Sequence, residues 1–308
     1  MIGSDKEPYF SDRRVQAISA QHGSHVPIEK VGSRDIATQY DAKKYDFGFP
    51  SGASAALKLK QVSKAKNTYT PFYTPMVIAS WRPIADLLVA NKIATLENGF
   101  YWVDMQKLLA LSAQKSRWSD LPNNQTFATN KAILIASTDV RSSNSAAMYL
   151  ALASYVLNNN TVLQSQAELD ALLPQVSPLF LRQGFQESSS LEPFQDYLAL
   201  GMGKTPLLMA YESQMLAFWL QHPERKKDNM ALLYPKPTIF SKHVFVPFNA
   251  KGEQLGALLE KDAELQTIAH EYGFRTASDE AAHWKKQGLQ IPNDFVDVID
   301  PPSQEWLE

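Results

Sequence analysis

Three times within its first sixty residues the chain runs from a short apolar segment, through a serine-bearing turn, into a helical pattern. Met1-Ile2 enters Gly3-Ser4-Asp5-Lys6, followed by helix-period residues from Phe10 to Gln21 with Ser11-Asp12 as caps. Val26 to Val31 ends in Gly32-Ser33-Arg34-Asp35 and a further helical run. Tyr45 to Phe49 closes in Pro50-Ser51-Gly52 before the alanine-rich helix Ala53–Lys60. Strands and helices that alternate through short polar turns pack as a parallel sheet flanked by helices, so this repeat assigns the chain to the α/β class. The unit recurs later. Ala132–Ala136 is a short, wholly apolar run of the kind that forms a buried parallel strand, and it feeds a Ser-rich turn, Ser137–Ser145, and the helix Ala146–Leu157. Pro206–Tyr211 reads as a strand leading into the helix Glu212–Leu220.

Between these units, Tyr73–Ser80 reads as a longer strand, and Trp81-Arg82-Pro83 starts a helix with Pro in its first turn. Met105–Leu111, Leu163–Leu172 and Glu192–Leu200 have helical spacing. Thr238–Val246, with Pro235, Pro237 and Pro247 around it, reads as one long irregular strand from Tyr234, followed by helices Gly252–Asp262 and Ala263–Tyr272. A polar tail with scattered Trp and Pro wraps the end. At 308 residues the chain is long enough for two lobes or one large domain, since single cores stop growing near ~250–300 residues.

Composition narrows the function. With 44% hydrophobic and 20% charged residues the chain has the profile of a folded protein. A net charge of -2 shows no basic excess, so no nucleic-acid partner is expected. The absence of cysteine excludes disulfides, thiolate metal sites and a cysteine nucleophile. No stretch approaches the ~18 apolar residues of a membrane span, and the polar start is not a signal peptide. Gly201-Met202-Gly203-Lys204-Thr205 looks like the end of a P-loop, but Leu198 occupies the position of its first glycine and a helix precedes it. His22 and His25 lack a nearby third ligand, and no Gly-x-Ser-x-Gly elbow is present. No metal or cofactor is expected.

The ordered series Gly3-Ser4-Asp5-Lys6, Gly32-Ser33-Arg34, Asp46 to Gly52, Pro75-Met76-Val77-Ile78-Ala79-Ser80-Trp81, Ser137-Thr138-Asp139 and Tyr211-Glu212-Ser213 resembles the type II periplasmic solute-binding proteins of ABC transporters, in the broad group with molybdate- and sulfate-binding members. The resemblance spans roughly residues 1–276. It departs after the tyrosine, where the Ser-Asp pair of the relatives is absent, so the ligand need not be sulfate-like or molybdate-like. It implies an α/β fold of two Rossmann-like lobes with parallel-rich mixed sheets, joined by two crossover strands. Residues 1–80 plus 240–308 form the first lobe and 81–239 the second. It further implies a monomer outside the cytoplasm, periplasmic or extracellular with its signal peptide removed, that captures a small solute and hands it to a membrane ABC permease.

In such sheets ligands gather beyond the carboxyl ends of strands, where helix starts offer unpaired N–H groups to an anion. The candidate ligand residues are Ser4, Lys6, Ser33, Arg34, Ser51, Arg141, Ser142, Ser143, Asn144, Tyr211 and Glu212. Each has a plainer reading: the serines and Asn144 as helix caps, Tyr211 as a core residue, Arg34 and Arg141 as partners of Asp35 and Asp139. An oxyanion or carboxylate is the favoured solute, although the loop charges nearly cancel. The alternatives are an enzyme on the same scaffold, for which no acid, base or nucleophile pair is marked, and a sensing domain without transport.

Overall fold

The computed structural model describes residues 1–278, 280–295, 297–303 and 307. A 3-10 turn, Ser4–Lys6, leads into helices α1 (Glu7–Ser11) and α2 (Arg13–Gln21). The expected single helix is broken at Asp12, whose extended backbone lets its carboxylate accept from Arg14 N at 2.8 Å and cap α2. The Val26–Val31 segment contributes one parallel bridge, Lys30 to Ile2, rather than a strand. β1 (Phe47–Gly48) and α3 (Ala53–Ser63) precede the long strand β2 (Tyr69–Trp81) and α4 (Arg82–Ala90). A hairpin follows, β3 (Ala94–Glu97) and β4 (Phe100–Asp104), turning through Asn98-Gly99 with φ of 53° and 84°. The chain continues through α5 (Met105–Ala113), α6 (Asn144–Leu157), α7 (Gln166–Leu181) and α8 (Leu191–Leu200). Next come β5 (Leu208–Tyr211), α9 (Glu212–Gln221), β6 (Met230–Lys236) and β7 (Thr238–Pro247). Helices α10 (Ala250–Lys261), α11 (Ala263–Glu271) and α12 (Glu280–Lys286) and strand β8 (Val298–Ile299) end the series. Ala132–Ala136 is buried at Ile133 and Ile135 but makes only bridges, Ala132 to Arg117 and Ala136 to Leu208.

The sheet is mixed, in the order β1-β7-β2-β6-β4-β3, with β5 also on β2 and β8 also on β7. The β4–β6 and β7–β8 pairs are parallel; β2 runs antiparallel to β5, β6 and β7. β2 can serve so many partners because it is thirteen residues long. Its first half, Tyr69–Pro75, pairs with β7, and its second half, Met76–Trp81, lies between β5 and β6. The register shifts between Tyr69 and Phe72, around Pro71, which has no N–H to donate.

Three hydrophobic clusters lie along this strand: Val77 and Ala79 pack with Tyr197, Leu208 and Met215, and the other two divide its length. Phe72 packs with Ile2, Phe10, Phe49, Phe245 and Phe274 in one, and Met76 and Ile78 pack with Leu88, Trp118, Leu152 and Leu233 in another. β7 changes core in the same way, from Ile239 to Phe245. β2 and β7 are therefore the two strands that cross between the cores, which are otherwise built from different parts of the chain.

The C-terminal segment laces both cores. Arg275 exchanges backbone hydrogen bonds with Tyr73, and its guanidinium holds Glu212 by two bonds of 2.8 and 2.9 Å. Trp284 packs on Leu216, Ile299 pairs with Ile239, and the Leu307 carbonyl accepts from Arg34 at 2.9 Å. Glu212 is fully buried and also accepts from Tyr234 at 2.7 Å, so every charge in this group is matched. Replacing Glu212 by Ala leaves the Arg275 guanidinium buried without its carboxylate. Denaturant unfolding should show a loss of about 3–5 kcal/mol for E212A. A loss below about 1 kcal/mol would mean that the pair is structurally dispensable.

Candidate functional site

The serine turns recognised in the sequence meet between the two cores, around a cavity of about 20 Å³. Ser4, Asp5, Gly32, Ser33 and Ser51 line it from one side, and Ser143, Asn144, Ser188, Ser190 and Tyr211 from the other. Glycines stand where a side chain would clash, Gly3 among the turns of the first side and Gly52 where the two sides meet. A Cβ on Gly3 would lie 2.5 Å from Ser51 Oγ and 2.9 Å from Ser33 Oγ, and one on Gly52 would overlap Asn144 Oδ1.

Asn144, the first residue of α6, stitches the sides together. Its Nδ2 donates to the Ser51 carbonyl at 2.9 Å and to the Tyr211 hydroxyl at 3.0 Å, and Ser241 Oγ donates to that same Ser51 carbonyl. Ser33 Oγ accepts from Ser51 N at 3.0 Å. Ser143 Oγ accepts from Thr138 Oγ1 at 2.7 Å, and Ser4 Oγ donates to Ser189 Oγ at 3.2 Å.

Side-chain caps are present at some helix starts and absent at others, α1 and α4 among them. α2, α5, α7, α10 and α11 each have an Asp, Ser or Asn whose side chain accepts a backbone N–H of the first turn. α3 and α6, which start at Gly52, next to the cavity-lining Ser51, and at the cavity-lining Ser143, have no side-chain cap; at α8 the Ser189 Oγ accepts from Leu191 N at 3.1 Å. The first N–H groups of α3 and α6 and their share of the helix dipole are thus left for another acceptor. The expectation that these serines are ordinary caps does not describe Ser143.

Beneath Ser51 lies a buried cluster absent from the cavity wall except for Asp5. The Lys6 ammonium is wholly buried, donates to Ser51 Oγ at 2.5 Å, and lies 3.3 Å from both Asp5 Oδ1 and His243 Nδ1. It sits 5.0 Å from the centre of the Phe49 ring. Burial pulls the Lys6 pKa down, with Asp5 opposing. Burial pushes the Asp5 carboxyl up, but the Lys6 charge, His243 and the hydrogen bond from Ser51 outweigh it and hold Asp5 below its usual range. Burial, reinforced by the Lys6 charge, lowers His243 from 6.5 to about 3, so the ring is neutral at physiological pH. Tyr211 is raised well above 10, by burial first and by the Asp5 charge second, and stays a neutral hydroxyl.

Of the residues expected from sequence, Ser4, Ser33, Ser51, Ser143, Asn144 and Tyr211 line the cavity. Lys6 reaches it only through Ser51. Four stand elsewhere. Arg34 donates to the backbone carbonyls of Val140 and Leu307. The Arg141 side chain is 86% exposed and paired with Asp139. Ser142 is half-buried and offers its carbonyl to Arg34 N at 3.5 Å. Glu212 belongs to the Arg275 pair. Ser188, Ser190 and His243 were not anticipated; the triple serine 188–190 before the helix at Leu191 was the readable signal for the first two.

The unfolded chain takes up a proton on His243 near pH 6.5, whereas the folded chain refuses it until about pH 3. The folded state therefore binds fewer protons in that window, and stability, complete above 6.5, is lost as pH falls through it. The melting temperature should drop from pH 6.5 toward pH 4, with a shallower slope in His243→Phe, whose ring suits the surrounding Phe49, Phe72 and Phe274. Parallel slopes would assign the acid sensitivity to other groups.

No family model matches the chain, and no curated protein matches it in sequence. Solved structures do match. The sulfate-binding protein SubI from Mycobacterium tuberculosis superposes with a TM-score of 0.56 at 14% identity, covering 96% of this chain and 91% of that one. The periplasmic molybdate-binding protein of Azotobacter vinelandii gives 0.52 at 14% identity, over 90% and 98% of the two chains. Iron-bound HitA from Pseudomonas aeruginosa gives 0.57 at 11% identity, over 99% and 93%. With its mixed sheet, its two cores and its pair of crossing strands, the chain has the fold of the type II periplasmic solute-binding proteins.

Proposed function

We propose that this protein is a non-enzymatic solute-binding protein that encloses a small anion, an oxyanion or a carboxylate, between two lobes. The lobes are residues 1–80 with 240–308 and residues 81–239, with β2 and β7 as the hinge and the segment beyond Arg275 bridging them. The observation that carries the reading is the meeting of the uncapped starts of α3 and α6 at one hydroxyl-lined cavity. Backbone N–H groups and serine and tyrosine hydroxyls are donors matched to an acceptor-rich solute. The buried charges nearby, Asp5 and Lys6, cancel as a pair, so the attraction comes from dipoles.

The cavity of about 20 Å³ is near the size of a single water site and below that of a tetrahedral oxyanion. Solute entry accordingly needs the lobes to part, which breaks the Asn144–Ser51 and Ser4–Ser189 bonds between the two sides. Closure over the solute restores a dry, low-dielectric site where each bond gains strength. Binding proteins of this fold, including those named above for sulfate and molybdate, support the reading of uptake: a monomer outside the cytoplasm, delivering its solute to an ABC permease.

Isothermal calorimetry with sulfate, molybdate, phosphate and small carboxylates tests the reading. Ser33→Ala and Tyr211→Phe should each weaken binding of the active solute by about 1–3 kcal/mol, the cost of deleting one buried hydroxyl donor. Unchanged affinity in both variants would remove the cavity as the binding site. Slow consumption of the bound solute would turn the assignment toward an enzyme.

A further inference from the structure

A second cavity adjoins the polar one in the same cleft. It measures about 220 Å³ and shares Ser4 and Asp5 with its neighbour. Beyond those two residues its surface is mostly apolar, although Gln195, Ser213, Gln214 and Gln221 also line it. Leu191, Phe194 and Leu198 of α8, Ala217 and Phe218 of α9, and Phe274 form its floor and walls. Ser190 and Leu191 mark the border along the chain: the last serine of the triple run faces the polar cavity and the next residue lines the apolar one.

Resting on the solute-binding reading above, we infer that the ligand is an organic anion, with its charged head in the Ser33–Ser51–Asn144–Tyr211 cavity and an apolar substituent of about benzene size in the adjoining pocket. An engineered apolar cavity of about 150 Å³ takes up benzene, so 220 Å³ accommodates an aryl or branched alkyl group. An inorganic oxyanion would use the polar cavity alone and leave this apolar surface without a partner. The border between the cavities is slight. Ser4 Oγ is held by a single 3.2 Å bond to Ser189 Oγ, which a ligand can replace. Asp5 presents no bar to an anion, because its Oδ1 is bonded to Ser51 at 2.5 Å and faces the Lys6 ammonium at 3.3 Å. The head chemistry common to sulfonates and carboxylates, a monoanion with acceptor oxygens only, fits a cavity rich in donors.

Calorimetry on the full chain with two matched pairs, benzenesulfonate against methanesulfonate and benzoate against acetate, reads the pocket directly, with sulfate as the inorganic control. The aryl member of at least one pair should bind about tenfold to a hundredfold tighter than its methyl partner. Which pair responds identifies the head group. Ala217→Trp, which fills the pocket from α9, should bring that ratio close to one, and Ala217→Leu should lower it partway; circular dichroism establishes that each variant is folded. Equal affinities within both pairs, or binding of sulfate with no aryl preference, overturns the inference and leaves the anion-binding function standing. Failure of every anion to bind overturns both. An aryl preference that survives both folded Ala217 variants places the substituent elsewhere and also overturns it.

Discussion

A buried ammonium sets the terms for the cleft. Lys6 has no exposed surface, and a charge removed from water costs several kcal/mol unless partners surround it. One partner is its neighbour Asp5 and two come from distant places in the chain, Ser51 from the turn before α3 and His243 from β7. Satisfying that one group fixes the turn that carries Ser51, and Ser51 in turn takes its amide to Ser33 and its carbonyl to Asn144 and Ser241. The polar cavity is thus the outer layer of a hydrogen-bonded stack whose inner layer is an ion pair. The aromatic rings of Phe49, Phe72 and Phe274 around His243 keep that inner layer dry.

The outer layer follows from a choice at the helix starts. α2, α5, α7, α10 and α11 spend a side chain on their own first turn, and α3 and α6, which start at the cavity, do not. Leaving a cap unmade costs about 1 kcal/mol per helix, a stability concession that a bound acceptor can reverse. The cavity and the two crossing strands are then one construction. β2 and β7 run from one core to the other, and the strand end at Tyr211 delivers both a cavity hydroxyl and the start of α9.

Much of this was legible in the sequence, for reasons that differ by residue. Ser4, Ser33 and Ser51 follow apolar segments at turn positions, and that local pattern is enough to bring them to one edge of the sheet. The same pattern promised strands at Val26–Val31 and Ala132–Ala136, where the chain makes only isolated bridges, because neighbouring segments pair with them at single residues. Charged residues were the least readable. Arg141 finds Asp139 two positions away, whereas Glu212 finds Arg275 across 63 residues, and nothing in the local sequence distinguishes those fates. His243 lay inside a segment read as a strand, and only the pairing of β7 with β2 turns it toward Lys6. The Asn98-Gly99 hairpin was in plain view and carries the left-handed backbone that this dipeptide favours.

The uncapped helix starts have a consequence for the conditions under which the cleft can work. Peptide dipoles do not titrate, and when buried they are scarcely reached by counterions, whereas attraction by surface lysines and arginines fades within a Debye length of ~8 Å at physiological ionic strength. On the reading proposed above, an anion bonded by the starts of α3 and α6 therefore loses little affinity as ionic strength rises.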